Sequence, residues 1–203
     1  MDKKSKKSIL FQQVCAVIAV AIILLLLFQA KDFIVAAVSG DDAYDVRLEE
    51  AEELENHQKA YRLFKNGDYY GDIDYNQYNL LDEKGNTDYR YCHLIVSARA
   101  LAFSVILGAM MIVVIVIVAS TSKKTPFTHR NANRIRLIGV LQFGLAIVPG
   151  LVKFLMTFFR FDYVSTPLTM EGFYMFVIGF AIMVIAQVFD HGVKLQEDID
   201  LIA

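Results

Sequence analysis

The apolar positions of the chain gather into four long runs, separated by polar stretches of very different character. The runs occupy roughly residues 9–29, 94–120, 137–159 and 168–189. Each approaches or exceeds the ~20 apolar residues that a helix needs to cross ~30 Å of hydrocarbon. A backbone in lipid must satisfy its own hydrogen bonds, so each run predicts a helix. The pattern as a whole predicts an all-α membrane protein, one four-helix domain over 1–203. A large segment (39–92) follows the first span, a basic connection (121–136) follows the second, and an acidic tail (190–203) follows the fourth.

Within 39–92 the polar and apolar positions predict a helix over Asp42 to Lys65. Leu48, Ala51, Leu54, Tyr61 and Phe64 fall near one face, and Glu49, Glu50, Glu52, Glu53 and Glu55 cover the rest. Asn66-Gly67 then serves as its stop. A tyrosine-rich stretch follows, from Tyr69 to Tyr91, with Lys84-Gly85-Asn86 as the turn of a short hairpin. The tyrosines read first as anchors at a membrane surface, and secondly as a ligand- or peptide-binding surface.

Charge sets the orientation. Lys123, Lys124, Arg130, Arg134 and Arg136 stand between the second and third spans with no acidic residue among them, and the leader adds Lys3, Lys4, Lys6 and Lys7. Residues 31–93 hold seven Lys or Arg against fifteen Asp or Glu. Cations in short loops beside spans stay on the cytoplasmic side, so both termini are expected inside and segment 39–92 outside. The first run follows four lysines, as a secretory signal would. It is long for a signal's apolar core, and Gln29-Ala30-Lys31 makes a poor cleavage site, so it is expected to be a retained anchor.

Little chemistry is spelled out. Cys15 falls near the inner end of the first span and Cys92 at the outer start of the second, on opposite sides of the bilayer, which excludes a disulfide between them, and there is no Cys-x-x-Cys pair. The acidic run lacks calcium-loop spacing, and His57 and His93 lack metal-ligand spacing, so no metal or cofactor is expected. No nucleophile, P-loop, zinc-protease or paired-carboxylate motif appears, which argues against an enzyme. The loop's single cysteine and the absence of tryptophan set the chain apart from claudins and tetraspanins.

Three charges fall within or beside the apolar runs: Arg99, Lys153 and Glu171. Arg99 is placed to snorkel to the headgroups, and Glu171 to sit at a helix N-terminus behind a Thr166-Pro167 cap. Lys153 follows Pro149-Gly150, a predicted kink, and is expected to snorkel or to pair with Glu171. Ala100, Ser104 and Gly108 form a small-residue stripe, read as a packing face within the chain before a dimer face.

The basic connection is expected to start a helix, capped by Thr125-Pro126 or Thr128, with Arg130 and Arg134 on one face. The tail repeats Val188, Gly192, Leu195, Ile199 and Ile202 at helical spacing, with Asp190 and Lys194 four apart. On that geometry Arg134 or Arg136 is expected to pair with Glu197 or Asp198, clamping the third and fourth spans together. The competing reading gives the arginines to anionic headgroups, at about 1 kcal/mol each.

The segments Pro126-Phe127-Thr128, Asn131, Arg134-Ile135-Arg136 and Ile138-Gly139, with Ala186, Val188-Phe189, Gly192, Leu195-Gln196 and Asp200-Leu201, resemble the bacterial family DUF2975. Arg134-Ile135-Arg136 has isoleucine where that family has leucine, and the chain ends without the family's usual threonine. The resemblance implies four spans in a bacterial cell membrane, often encoded beside a small helix-turn-helix regulator, and no known activity. The resulting expectation is a non-enzymatic sensor or anchor whose inner surface (Asn131, Arg134, Arg136, Gln196, Glu197, Asp198) holds a cytoplasmic DNA-binding partner. The protein itself would not bind nucleic acid. The alternative is a small transport or bacteriocin-immunity protein.

Overall fold

The computed structural model describes residues 3–50, 59–81, 84–121, 128–158, 160–161, 166 and 170–202. Four helices dominate it: α1 (Lys3–Val38), α2 (Tyr89–Thr121), α3 (His129–Phe158) and α4 (Met170–Ile202). All four are long and apolar enough to cross a membrane. They run 30 to 36 residues. At a rise of about 1.5 Å per residue that is ~45–55 Å, well beyond ~30 Å of hydrocarbon. Each helix therefore has turns to spare for polar work beyond its span. Val20, Leu27, Ile112, Val140, Phe173 and Phe180 stand exposed on the helix surfaces, the lipid-facing wall of a multi-pass membrane protein.

Between α1 and α2 the all-helical expectation fails. The chain there forms a three-stranded antiparallel sheet of β1 (Tyr44–Glu50), β2 (Lys59–Lys65) and β3 (Asp68–Asp72), in that order. Residues 51–58, which include Glu52, Glu53, Glu55 and His57, lie outside the described residues, as do Lys123, Lys124, Thr125, Pro126 and Pro167. The cause of the error sits at Asn66-Gly67. Both residues have positive φ (52° and 91°), and Lys65 pairs with Asp68 across them. That is the two-residue turn whose twist suits a hairpin, and Asn-Gly is its strongest sequence signal. The spacing of Leu48, Tyr61 and Phe64 fits a helix by coincidence. Cross-strand charge pairing supports the sheet instead: Arg62 of β2 lies 3.3 Å from both Glu49 of β1 and Asp72 of β3. The expected turn at Lys84-Gly85-Asn86 is present, closed by a Leu81–Thr87 bridge.

The chain resolves into two compact units, one of Met1–Phe28, Ala102–Gly150 and Leu168–Ala203, the other of Gln29–Leu101 and Leu151–Pro167. In the first, helices pack through small residues, as they must where lipid removes the hydrophobic drive to associate. A Cβ on Gly108 of α2 would stand 3.1 Å from Ile22 of α1. The small-residue stripe is thus used within the chain at this point. The second unit has its own core of Tyr44, Leu63, Tyr78, Leu80, Cys92, Ile95 and Phe161. Tyr78 therefore serves as core, whereas Tyr69, Tyr70 and Tyr75 stay exposed.

Candidate functional site

Two polar clusters are built into the fold, one in each unit. The first lies where α2 ends, α3 begins and the last turns of α4 pass. Thr128 caps α3: its Oγ1 accepts from the Asn131 amide at 3.2 Å, and its carbonyl accepts from Asn131 and Ala132. The cap fixes Asn131 in the first turn with 1% of its surface exposed. Asn131 Oδ1 accepts from Ser120 Oγ of α2 at 2.8 Å and from Arg134 Nη1 at 2.9 Å. A buried amide oxygen with two donors is satisfied, and it ties two helices together.

The contact from α3 to α4 is made by His129, not by the arginines expected to make it. His129 Nδ1 stands 2.7 Å from Asp190 Oδ1, and its Nε2 stands 3.4 Å from Glu197 Oε1. Asp190 and Glu197 are two turns apart on one face of α4, so a single ring reaches both. Only the imidazolium, with a proton on each nitrogen, donates to both carboxylates. Lys194 Nζ approaches the other oxygen of Asp190 at 4.0 Å. Arg134 is turned inward to Asn131, and Arg136 donates to Asn133 at 2.8 Å. The clamp of α3 on α4 exists, with a different residue as its jaw. Gln196 and Asp198 are exposed. A histidine directly after a capping threonine, opposite two acids seven apart, was the overlooked sequence signal.

The second cluster surrounds His93 near the start of α2. The imidazole is 5% exposed. Its Nδ1 lies 2.8 Å from the Tyr78 hydroxyl, and its Nε2 lies 3.4 Å from Asp32 Oδ1 of α1. Tyr70 donates its hydroxyl to the same Asp32 oxygen. The Tyr44 ring leans on the imidazole at 4.9 Å, and the Tyr70 ring meets it edge-on at 5.3 Å. Tyr70 gets there through a bulge: Leu63 pairs with Gly71 and Phe64 with Tyr69, leaving Tyr70 unpaired in the ladder. Burial raises the ionisation of Tyr44, Tyr70 and Tyr78 above the ordinary tyrosine range, and the Asp32 carboxylate adds to it in each case. These hydroxyls keep their protons. Sequence reasoning considered His93 only as a metal ligand. Among the described residues no His, Cys, Asp and Glu group is arranged to hold a metal ion.

Of the three charges noted in the sequence, Glu171 belongs to the first unit, and Arg99 and Lys153 belong to the second. Glu171 is exposed in the first turn of α4. Arg99 and Lys153 are partly buried in the second unit, where Arg99 and Asp74 lie close enough to act on the Lys153 charge.

A family model described as a protein of unknown function, DUF2975, matches residues 77–202. That range takes in the whole α2–α3–α4 junction together with Tyr78 and His93, and leaves out Asp32 and the sheet. No curated protein and no solved structure matches the chain.

Proposed function

Since the chain belongs to DUF2975, a family of unknown function, we propose that it is a non-enzymatic anchor in the bacterial cell membrane. Its termini lie in the cytoplasm and its sheet outside, and the end of α4 holds a soluble DNA-binding regulator of the helix-turn-helix kind. The charge asymmetry along the sequence supports the orientation.

One observation carries the reading. α4 continues as helix to Ile202, about twenty ångströms past Phe189, where its apolar run ends. On that extension one face is fixed to α3 through Asp190 and Glu197. Leu195, Ile199 and Leu201 are exposed, beside exposed Gln196 and Asp198. A rigidly held helix end with apolar and acidic groups uncovered suits an amphipathic, basic partner helix. The junction's polar groups are occupied with one another, in keeping with a scaffold rather than a catalyst.

The test is crosslinking of the tagged protein in its own membranes, followed by mass spectrometry, with the surface variant Gln196→Lys/Asp198→Lys alongside. A DNA-binding protein should be captured with the natural sequence and lost in the variant at equal protein level. Capture of only the protein itself or lipid in both would sink the reading. The half-buried Arg99 and Lys153 would then favour transport or immunity.

A further inference from the structure

We propose that His93 is a proton-responsive latch that fastens the end of α1 to the sheet and to α2, tighter when the imidazole is charged. The proposal concerns the second unit alone and does not depend on any partner at α4. It rests on the orientation above only for which side's acidity the latch would report.

Five elements converge on this ring. Asp32 comes from α1, Tyr44 from β1, Tyr70 from β3 and Tyr78 from the turn after β3. Lys65 of β2 acts on Asp32 and lies over the Tyr44 ring at 5.6 Å. The neighbouring thiol on its own helix, Cys92, is fully buried. Within this set the histidine is the group whose charge ordinarily changes between pH 5 and 8.

The hydrogen bonds define two states. Tyr78 holds its proton, so it donates to Nδ1 of a neutral ring, whereas the buried Nε2 stands 3.4 Å from Asp32 Oδ1 without a hydrogen bond to it. The other neutral tautomer would set the Nε2 lone pair against the carboxylate. When Nδ1 takes up a proton, the Tyr78 O–H can no longer donate there. The hydroxyl must rotate, and its oxygen becomes the acceptor. The same proton sets a positive ring against the Asp32 carboxylate and turns their 3.4 Å contact into an ion pair. Protonation therefore reverses one hydrogen bond and creates an ion pair, around a ring that is itself buried.

The full chain in phospholipid nanodiscs, with one pH on both faces, provides the test. Hydrogen–deuterium exchange, corrected for intrinsic rate, is followed in peptides from the end of α1 and from β1 to β3, at pH 5.5 and 7.5. Exchange should be roughly threefold to tenfold slower at the lower pH, the factor expected when a buried ring gains a charge opposite a carboxylate. His93→Gln should abolish that difference. If that variant does not fold, Asp32→Asn decides, since it keeps the shape and removes the charge that the latch requires. No pH effect, an opposite effect, or an effect that survives either substitution overturns the proposal. Because no partner and no orientation enters the measurement, its failure is separate from failure of the anchoring reading.

Discussion

Gly139 of α3 and Gly179 of α4 face each other so closely that a Cβ built on either would stand 3.3 Å from the other's carbonyl oxygen. The two helices meet here backbone to backbone. Met183 lies over Gly139 at 2.9 Å and the Phe143 ring over Gly179 at 2.8 Å, each measured to such a Cβ. Phe143 in turn packs against Phe176 at 4.7 Å. Gly179→Ala should destabilise the protein by about 1–3 kcal/mol, the usual range for overpacking. Gly139→Ala should lose less, because a methionine adjusts more readily than a wedged ring. Thermal unfolding in detergent ranks the two, and an inverted order would mean that Phe143 has freedom this packing denies it.

Asn131 predicts a different kind of loss. Asn131→Ala removes an acceptor from Ser120 and from Arg134; the Ser120 hydroxyl keeps the Ile117 carbonyl at 2.7 Å, so the loss falls mainly on the Arg134 guanidinium. We expect about 1–3 kcal/mol of destabilisation. Ser120→Ala should cost clearly less, since Arg134 still satisfies the amide oxygen. Unfolding of the two single variants and the double variant gives the coupling directly; additive losses would rule out a shared bond.

The His129 bridge predicts where a charge exchange fails. Arg134→Glu with Glu197→Arg should not restore the stability lost in either single variant, because those side chains do not meet. Asp190→Asn should weaken the helix pair more than Glu197→Gln, in line with 2.7 Å against 3.4 Å. Both effects should shrink as salt is raised, because the ring is half exposed. Thermal unfolding of the charge-exchange variants, with double-mutant cycles of His129 against Asp190 and against Glu197 at low and high ionic strength, checks all three statements.

Tyr44, Tyr70 and Tyr78 set a limit at alkaline pH. A group that holds its proton more tightly when folded adds stability that is intact below its unfolded value, near 10 for tyrosine, and is lost as pH climbs past that value. Phenolate absorbance should therefore show a late fraction that appears with unfolding. Tyr78→Phe should reduce that late fraction. If Tyr78→Phe left it unchanged, the burial described for that hydroxyl would be wrong.

The four helices and the basic stretch before α3 were legible because run length and cation placement are one-dimensional properties. The sheet was not, although its decisive signal was present. Tyr61 and Phe64, three apart, share a helical face but fall on opposite faces of β2, so periodicity pointed to a helix and Asn66-Gly67 alone signalled the hairpin. The clamp was half legible: acids on the α4 tail facing a basic helix start were evident, but cation count favoured Arg134 and Arg136 over His129. Which of two neighbouring side chains turns inward depends on Asn131, whose two donors are visible only once α2 is beside it. The His93 cluster drew on residues from Asp32 to His93, and no local spacing joins those.

β2 and β3 are neighbours in sequence and close through the Asn66-Gly67 turn, so they can pair as soon as both have left the ribosome. Their core is another matter. Phe161, buried with Tyr44 and Leu63, belongs to the segment after α3, long after the sheet in order of synthesis. Until α3 has been made, that core lacks one wall and Tyr44 and Leu63 stay partly uncovered. Completion of the sheet unit is thus timed by the third helix, and a chain stalled before it would display an open apolar surface for quality control to find.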